Sequence, residues 1–238
     1  SYQSSLLLFN PIFNMPQTIL VLDFGSQYTQ VIARRIREQN VYSKVLPYNS
    51  SLSVIKKLNP QGIILSGGPA SVLTKGSPLP TQKIFSLGIP MLGICYGLQL
   101  MGKLLGGEVK KCDRREYGRS ELSIQKGGKL FKGLPKTLTV WNSHGDAIVR
   151  IPQGFQGIAL TENSQFSAIE DVKRKFYGLQ FHPEVTHTNQ GSKILSNFVY
   201  SVCKCKKNWE TSDIIQSMVS SVKDQVGNDK VLLGLSGG

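Results

Sequence analysis

The residue with the most chemical promise is Cys95, which stands between Gly93 and Gly97 in the run Pro90-Met-Leu-Gly-Ile-Cys-Tyr-Gly-Leu-Gln99. The apolar residues before it read as a strand and those after it as a helix, so the cysteine falls at the turn between them. Small residues two positions away on each side permit the close backbone approach of a nucleophile elbow, the sharp turn that lifts a reactive side chain out of a sheet. A helix start also favours a thiolate, the form that attacks carbonyl carbon. Without the glycines, a cysteine among Leu, Ile and Tyr would read as a small buried hydrophobe.

A thiol nucleophile needs a base, and the chain has three histidines: His144, His182 and His187. His182 lies in Gln-Phe-His-Pro-Glu after an apolar run. Pro183 biases it toward extended backbone, where residues two apart project to the same side, so Glu184 can reach the imidazole. That carboxylate would fix the tautomer and stabilise the imidazolium. Acyl transfer further requires donors for a developing oxyanion. The N–H of Tyr96 is one candidate and the N–H of Gly68, in the turn Ser66-Gly67-Gly68-Pro69, is a second. His187 has no obvious partner and reads as surface.

Positioning these groups demands strands that end on one edge. From Thr18 to Cys95 short apolar runs alternate with amphipathic stretches, which predicts βα units on a parallel sheet with strands at Ile19-Phe24, Lys44-Pro47, Gly62-Leu65 and Pro90-Ile94. Tyr28, Ile32 and Ile36, with Val31 alongside, predict one buried helical stripe. Glu108 to Phe181 has little helical periodicity and many turn signals, including Gly127-Gly128, Asn142 and Gly154, so several shorter strands should extend the sheet. A helix over Gly191 to Cys205 closes the domain. The fold class expected is α/β, an open, mostly parallel, doubly wound, flavodoxin-like sheet with additional strands in its second half.

Residues 1–14 are expected to be a disordered leader, 15–207 the catalytic domain, and 208–238 a linker helix and first strand of a truncated second domain. The linker is placed at the basic stretch Lys204 to Trp209. An amphipathic helix (Ile214, Ile215, Met218, Val219, Val222) and a strand, Val231-Leu235, follow it, and the strand runs into Ser236-Gly237-Gly238, where an α/β domain begins a phosphate site.

The 238 residues carry a formal charge of +13, which favours anionic partners without choosing among them. The basic clusters lack the aromatic interleaving of a single-strand binder, so no nucleic acid is expected. No apolar run reaches the roughly 20 residues that cross a bilayer, so no membrane is expected. Four scattered cysteines form no CxxC pair and point to a reducing cytoplasm rather than a disulfide framework. Cys203 and Cys205 are read as helix neighbours pointing different ways, not as metal ligands, and no metal is expected. Asp23-Phe24-Gly25 reads as a βα turn rather than a kinase magnesium motif, because the other kinase motifs are missing.

Gly-Ile-Cys-Tyr-Gly-Leu-Gln, Ser-Gly-Gly-Pro and Phe-His-Pro-Glu, in that order, resemble the class I (triad) glutamine amidotransferases over Ile19 to about Cys205. The resemblance implies that Cys95 forms a γ-glutamyl thioester, that His182 protonates departing ammonia and then activates water, and that Glu184 orients His182. It implies L-glutamine as substrate, bound with help from Gln99 and the stretch Asn142, Ser143, His144, Gly145 and Asp146, and no cofactor in this domain. Within the family, residues 21–30, Arg115-Glu-Tyr-Gly118, Ser143-His-Gly-Asp146 and the tail Leu-Gly-Leu-Ser-Gly-Gly are most similar to glutamine-hydrolysing GMP synthetases. That likeness implies a cytoplasmic ligase of purine nucleotide synthesis, homodimeric when full length, whose second domain uses ATP and magnesium to activate XMP. Ser236, Gly237 and Gly238 would belong to its ATP-binding motif, which is incomplete here, and Asn142 stands where an apolar residue is common. Competing readings are another synthetase partner, a γ-glutamyl hydrolase, or a non-catalytic binding module.

Overall fold

The structure is a computed structural model that describes residues 16–207, 209–210, 219, 222–227 and 229–231. The expected leader and the glycine-rich tail lie outside the described residues, as does most of the second helix and of the strand Val231-Leu235.

Nine strands form one sheet in the order β2-β1-β3-β4-β9-β8-β7-β5-β6. Its first half is parallel: β1 (Thr18–Asp23), β2 (Tyr42–Pro47), β3 (Gly62–Leu65), β4 (Met91–Ile94) and β9 (Phe176–Leu179). Apart from the edge strand β2, these strands are buried on both faces, which is why they read as near-continuous apolar runs. In β1, Ile19 and Val21 join one core with α1 (Thr29–Arg37), whereas Leu20 and Leu22 join the other with α2 (Leu52–Leu58) and α3 (Tyr96–Leu104). α1 packs beside α4 (Gly191–Ser196). Helices therefore cover both faces, as the βα pattern requires.

The second half is antiparallel, with β5 (Glu108–Ile124), β6 (Thr137–Arg150), β7 (Gln156–Thr161) and β8 (Ser164–Asp171). The mostly parallel sheet of the sequence reading is thus a mixed one. Nor are the added strands all short: β5 has 17 residues and β6 has 14, pairing as a long ribbon. Between Lys111 and Glu116 that ribbon shifts register, so residues 112–115 bulge opposite Gly145.

Several local expectations change. The stripe of α1 is Thr29, Ile32, Ala33 and Ile36; Tyr28 precedes the helix, and both it and Val31 are only half-buried. Asn142 is no turn residue but a 1% exposed position inside β6, its amide hydrogen-bonded to a buried carboxylate. The closing helix stops earlier than Cys205, after a π-helical turn over Asn197–Val202 in which Cys203 N–H reaches back to Phe198 O. Cys203 and Cys205 do not diverge: both are buried in one apolar core, where burial pushes the first thiol well up and the second to about 11. The basic stretch also packs rather than swings free, with Trp209 4% exposed against Tyr42 and Lys206 N–H bonded to Gln17.

Candidate active site

In an open α/β sheet, ligands gather at the carboxyl ends of parallel strands where the strand order reverses. Here the chain runs from β1 outward to β2, then returns across β1 to β3 and β4. Four loops converge at that edge: Phe24–Tyr28 after β1, Ser66–Pro69 after β3, Cys95 after β4 and Gln180–Glu184 after β9.

Cys95 is 4% exposed and caps the N-terminus of α3 with φ +50° and ψ −104°, a conformation that a side chain rarely adopts. Two glycines make this turn possible. A Cβ on Gly93 would lie 2.6 Å from the Gly97 carbonyl, and one on Gly97 would lie 2.3 Å from the carbonyl oxygen of Leu65. The first turn of α3 can therefore sit directly on β3 and β4, and the Cys95 N–H is fixed by Leu179 O at 2.7 Å. As the first residue of α3, Tyr96 has no intrahelical acceptor for its N–H, which leaves a donor beside the thiol.

His182 and Glu184 sit on the loop leaving β9. The imidazole Nδ1 and Glu184 Oε1 are 2.7 Å apart, so Nε2 is the nitrogen available to Cys95. The loop is held from several sides: His182 N–H donates to Trp141 O, Thr188 Oγ1 donates to His182 O, and the Arg35 guanidinium donates to Glu184 O. Gly191 is required beneath it, since a Cβ there would lie 2.0 Å from Pro183 O. Tyr28 presents its ring to His182 at 67° and 5.1 Å. Both triad candidates of this loop are buried, His182 at 4% and Glu184 at 1%.

Burial opposes a charge on His182, yet the Glu184 carboxylate and hydrogen bonds with the Cys95 thiol and Glu184 outweigh it and raise the imidazole to about 10. The ring is therefore protonated near neutrality. A Cβ on Gly67 would touch His182 Cε1 at 3.2 Å and Cys95 Cβ at 3.8 Å, so this glycine sits directly beneath the pair.

Two cavity lobes meet at Cys95. One of about 330 Å3 runs past Gly25–Tyr28, Gly68, Pro69, Ser143 and His182; the other, about 370 Å3, runs past Gly68–Ser71, Gln99 and Ser143–Asp146. Gly68 lines both, and a Cβ there would strike Phe24 O at 2.7 Å. Across the cavity, Ser143 O faces the Cys95 sulfur at 3.6 Å, and Gln99 Nε2 donates to Asp146 O at 2.8 Å. Gly68, Cys95, Gln99, Ser143–Asp146 and His182 thus line one space, with Glu184 behind His182 and Tyr96 next in chain to Cys95. A larger hollow of about 410 Å3, lined by Lys110, Lys111 and Asn163–Gln165, does not include Cys95.

Some groups packed behind the walls of this space were not legible from the sequence. Glu116 is 5% exposed and accepts from Asn142 and Thr161, with His144 Nε2 at 3.0 Å, an arrangement that depends on cross-strand pairing 28 residues away. Burial would raise the Glu116 carboxyl, but the hydrogen bonds from His144 and Thr161 hold it below its usual value of 4.5. The ring of His144, 1% exposed, is therefore turned onto Glu116, and Cys112 lies 3.9 Å from its other nitrogen. Gln180, whose amide lies 3.7 Å from the Cys95 sulfur, did carry a signal, since it stands two residues before His182 on extended chain. His187 is exposed, as expected, though it stacks on Trp141 at 4.6 Å. Asp23 accepts from Gly25 N–H and Thr29 Oγ1, which makes Asp23-Phe24-Gly25 a βα turn as read. Among the described residues no cluster of three or more His, Cys, Asp or Glu could hold a metal.

Residues 20–202 match the glutamine amidotransferase class-I family. The chain belongs to the class I glutamine amidotransferases. The domain is 51% identical to GMP synthase [glutamine-hydrolyzing] of Aquifex aeolicus over 92% of its own length, but it covers only 43% of that relative. It thus spans less than half the length of the curated relatives it matches and corresponds to their glutaminase part. A solved protein of Thermoplasma acidophilum, provisionally assigned as one subunit of a GMP synthase, superposes with a TM-score of 0.70 at 30% identity over 85% of this chain and 98% of that one. A glutamine amidotransferase of Thermotoga maritima, at 20% identity and a TM-score of 0.59 over 86% of each chain, shares the fold. No helix among the described residues of the amidotransferase is long and apolar enough to cross a membrane.

Proposed function

We propose that this amidotransferase hydrolyses the side-chain amide of glutamine with Cys95, His182 and Glu184 as its triad. The observation that carries the reading is a thiol held at a positive-φ elbow that shares one cavity lobe with an imidazole braced by a carboxylate at 2.7 Å. The sulfur adds to the amide carbon, and the N–H groups of Tyr96 and Gly68 receive the oxyanion. As the C–N bond breaks, His182 gives its proton to the departing ammonia and leaves a γ-glutamyl thioester on Cys95. The neutral imidazole then takes a proton from water, which attacks the thioester and releases glutamate. Glu184 keeps Nδ1 engaged so that Nε2 faces the reacting atoms. Gln99, Ser143, His144, Gly145 and Asp146 shape the substrate lobe, with His144 acting from behind through Glu116 and its backbone. This part needs no cofactor for these steps.

In an enzyme built like the longer relatives, the ammonia aminates XMP to GMP after ATP and magnesium activate the nucleotide. Ser236, Gly237 and Gly238 fit the start of the ATP motif by sequence alone. On this reading residues 15–207 are the glutaminase domain, 208 onward begins the synthetase part, and the full-length enzyme is a cytoplasmic homodimer. The test is Cys95→Ala in the full-length protein. Synthesis with glutamine should stop, by more than a thousandfold, while synthesis with ammonium salts continues at its normal rate. Retained glutamine use would refute the assignment.

A further inference from the structure

The geometry points to Gln180 as a fourth catalytic residue, one whose side-chain amide donates to the Cys95 sulfur and so favours its anionic form. This rests on the triad reading above and deepens it. Gln180 follows β9 directly, beside the strand that carries Cys95, and is 1% exposed. Its Nε2 lies 3.7 Å from the sulfur, within range for a bond to so large an acceptor. Its Oε1, equally buried, has no partner.

That orphan oxygen is the informative part. A buried amide with one end unsatisfied bears an uncompensated desolvation cost, which an apolar side chain of the same shape would avoid. An amide placed there has a use for its other end, which among the described residues faces the Cys95 sulfur. The sulfur is in fact held between opposed partners. Ser143 O, at 3.6 Å, can accept from a neutral thiol and repels an anion; the Gln180 N–H groups repay the anion and offer the neutral thiol little. His182 supplies the balancing positive charge but loses it when ammonia takes its proton, whereas an amide donor cannot be titrated away. Gln180 thus still stabilises sulfur as a leaving group when the thioester hydrolyses. The titratable groups facing this space are His182 with Glu184 behind it, Tyr28 from the loop before α1, and Lys111, Cys112, Tyr117, His144 and Asp146 across the second lobe.

The test is alkylation of Cys95 by iodoacetamide in this chain, followed by mass spectrometry of the peptide bearing residue 95, in the unaltered protein and in Gln180→Met and Gln180→Glu. Met keeps volume and removes the donor; Glu keeps shape and adds a repelling charge. At pH 7 the Met variant should react about tenfold more slowly and the Glu variant more slowly still. Both should converge on the unaltered rate at high pH, where every thiol is ionised; a packing or access defect would slow the reaction at all pH values. Equal rates at pH 7 in a folded Met or Glu variant would overturn the role of Gln180. Should the Met variant not fold, the isosteric Glu variant decides alone. A Cys95 that is inert to the reagent in the unaltered chain would instead sink the triad reading itself.

Discussion

The two halves of the sheet do different work and are stabilised differently. The parallel half places four loops at one edge and fixes them through backbone: glycines where a Cβ has no room, a strained turn at Cys95, and main-chain bonds such as Cys95 N–H to Leu179 O. The antiparallel half brings its wall of the substrate lobe through side chains, with Glu116 gathering Asn142, His144 and Thr161 into one buried network. Main-chain geometry tolerates no substitution but needs no charge. A polar network tolerates changes of shape better than changes of charge, since each buried partner left unpaired bears its full desolvation cost. The placement of the Cys95 sulfur thus depends on the first half, and the far wall of the cavity beside it on the second.

The largest effect that would break this division is expected at Gly97. Gly97→Ala drives a Cβ to 2.3 Å from Leu65 O, where neither backbone can give way. It should cost about 3 kcal/mol or more of stability, measured by urea denaturation, and abolish Cys95 reactivity in whatever remains folded. Normal reactivity in this variant would mean that the elbow does not depend on close packing.

Next in size is Glu116→Gln in the other half. The amide gives up a charged acceptor, so stability should fall by about 1–3 kcal/mol. The KM for glutamine should rise about tenfold while alkylation of Cys95 by iodoacetamide stays within twofold. Loss of both together would show that the halves are not separable. Because the Glu116 carboxyl is held below 4.5, the stability it contributes is present above that pH and is lost as acid protonates it. The variant should therefore be less acid-sensitive than the unaltered chain.

The third test sits on the seam, at β9, which is parallel to β4 and antiparallel to β8. His182 is raised from 6.5 to about 10 in the folded chain. Its contribution to stability is complete below about pH 6.5 and disappears as pH rises through about 10. Thermal melts of the unaltered chain and Glu184→Gln between those limits should differ most at the acid end and converge at the alkaline end. Parallel curves would remove the carboxylate as the cause of the raised imidazole.

The contrast also explains what could be read from residues alone. β3 was legible to the residue, and β1 and β4 to within one, because strands buried on both faces leave unbroken apolar runs and the turns after them require Gly. The placement of Cys95 at a turn and of Glu184 against His182 was legible, because the turn is announced by glycines and the pair spans two residues. Glu116 was not, because its partners Asn142, His144 and Thr161 lie 26, 28 and 45 positions away and meet it only through the β5–β6 ribbon and the adjacent strand. Asn142 misled for the same reason, its amide suiting a turn until a buried carboxylate is placed opposite. The π-helical turn before Cys203 left no mark in the apolar periodicity, since Ile194, Phe198 and Val202 face the core whichever carbonyl each N–H selects.

The backbone of residue 95 reverses an ordinary ranking. At a buried site alanine normally supports a fold better than glycine, because it restricts the unfolded chain and fills space. With φ at +50°, any β-carbon at this position is a steric burden. Replacing the cysteine by glycine should therefore give a sturdier protein than replacing it by alanine, a sign that a side chain occupies this place at the expense of the scaffold that presents it.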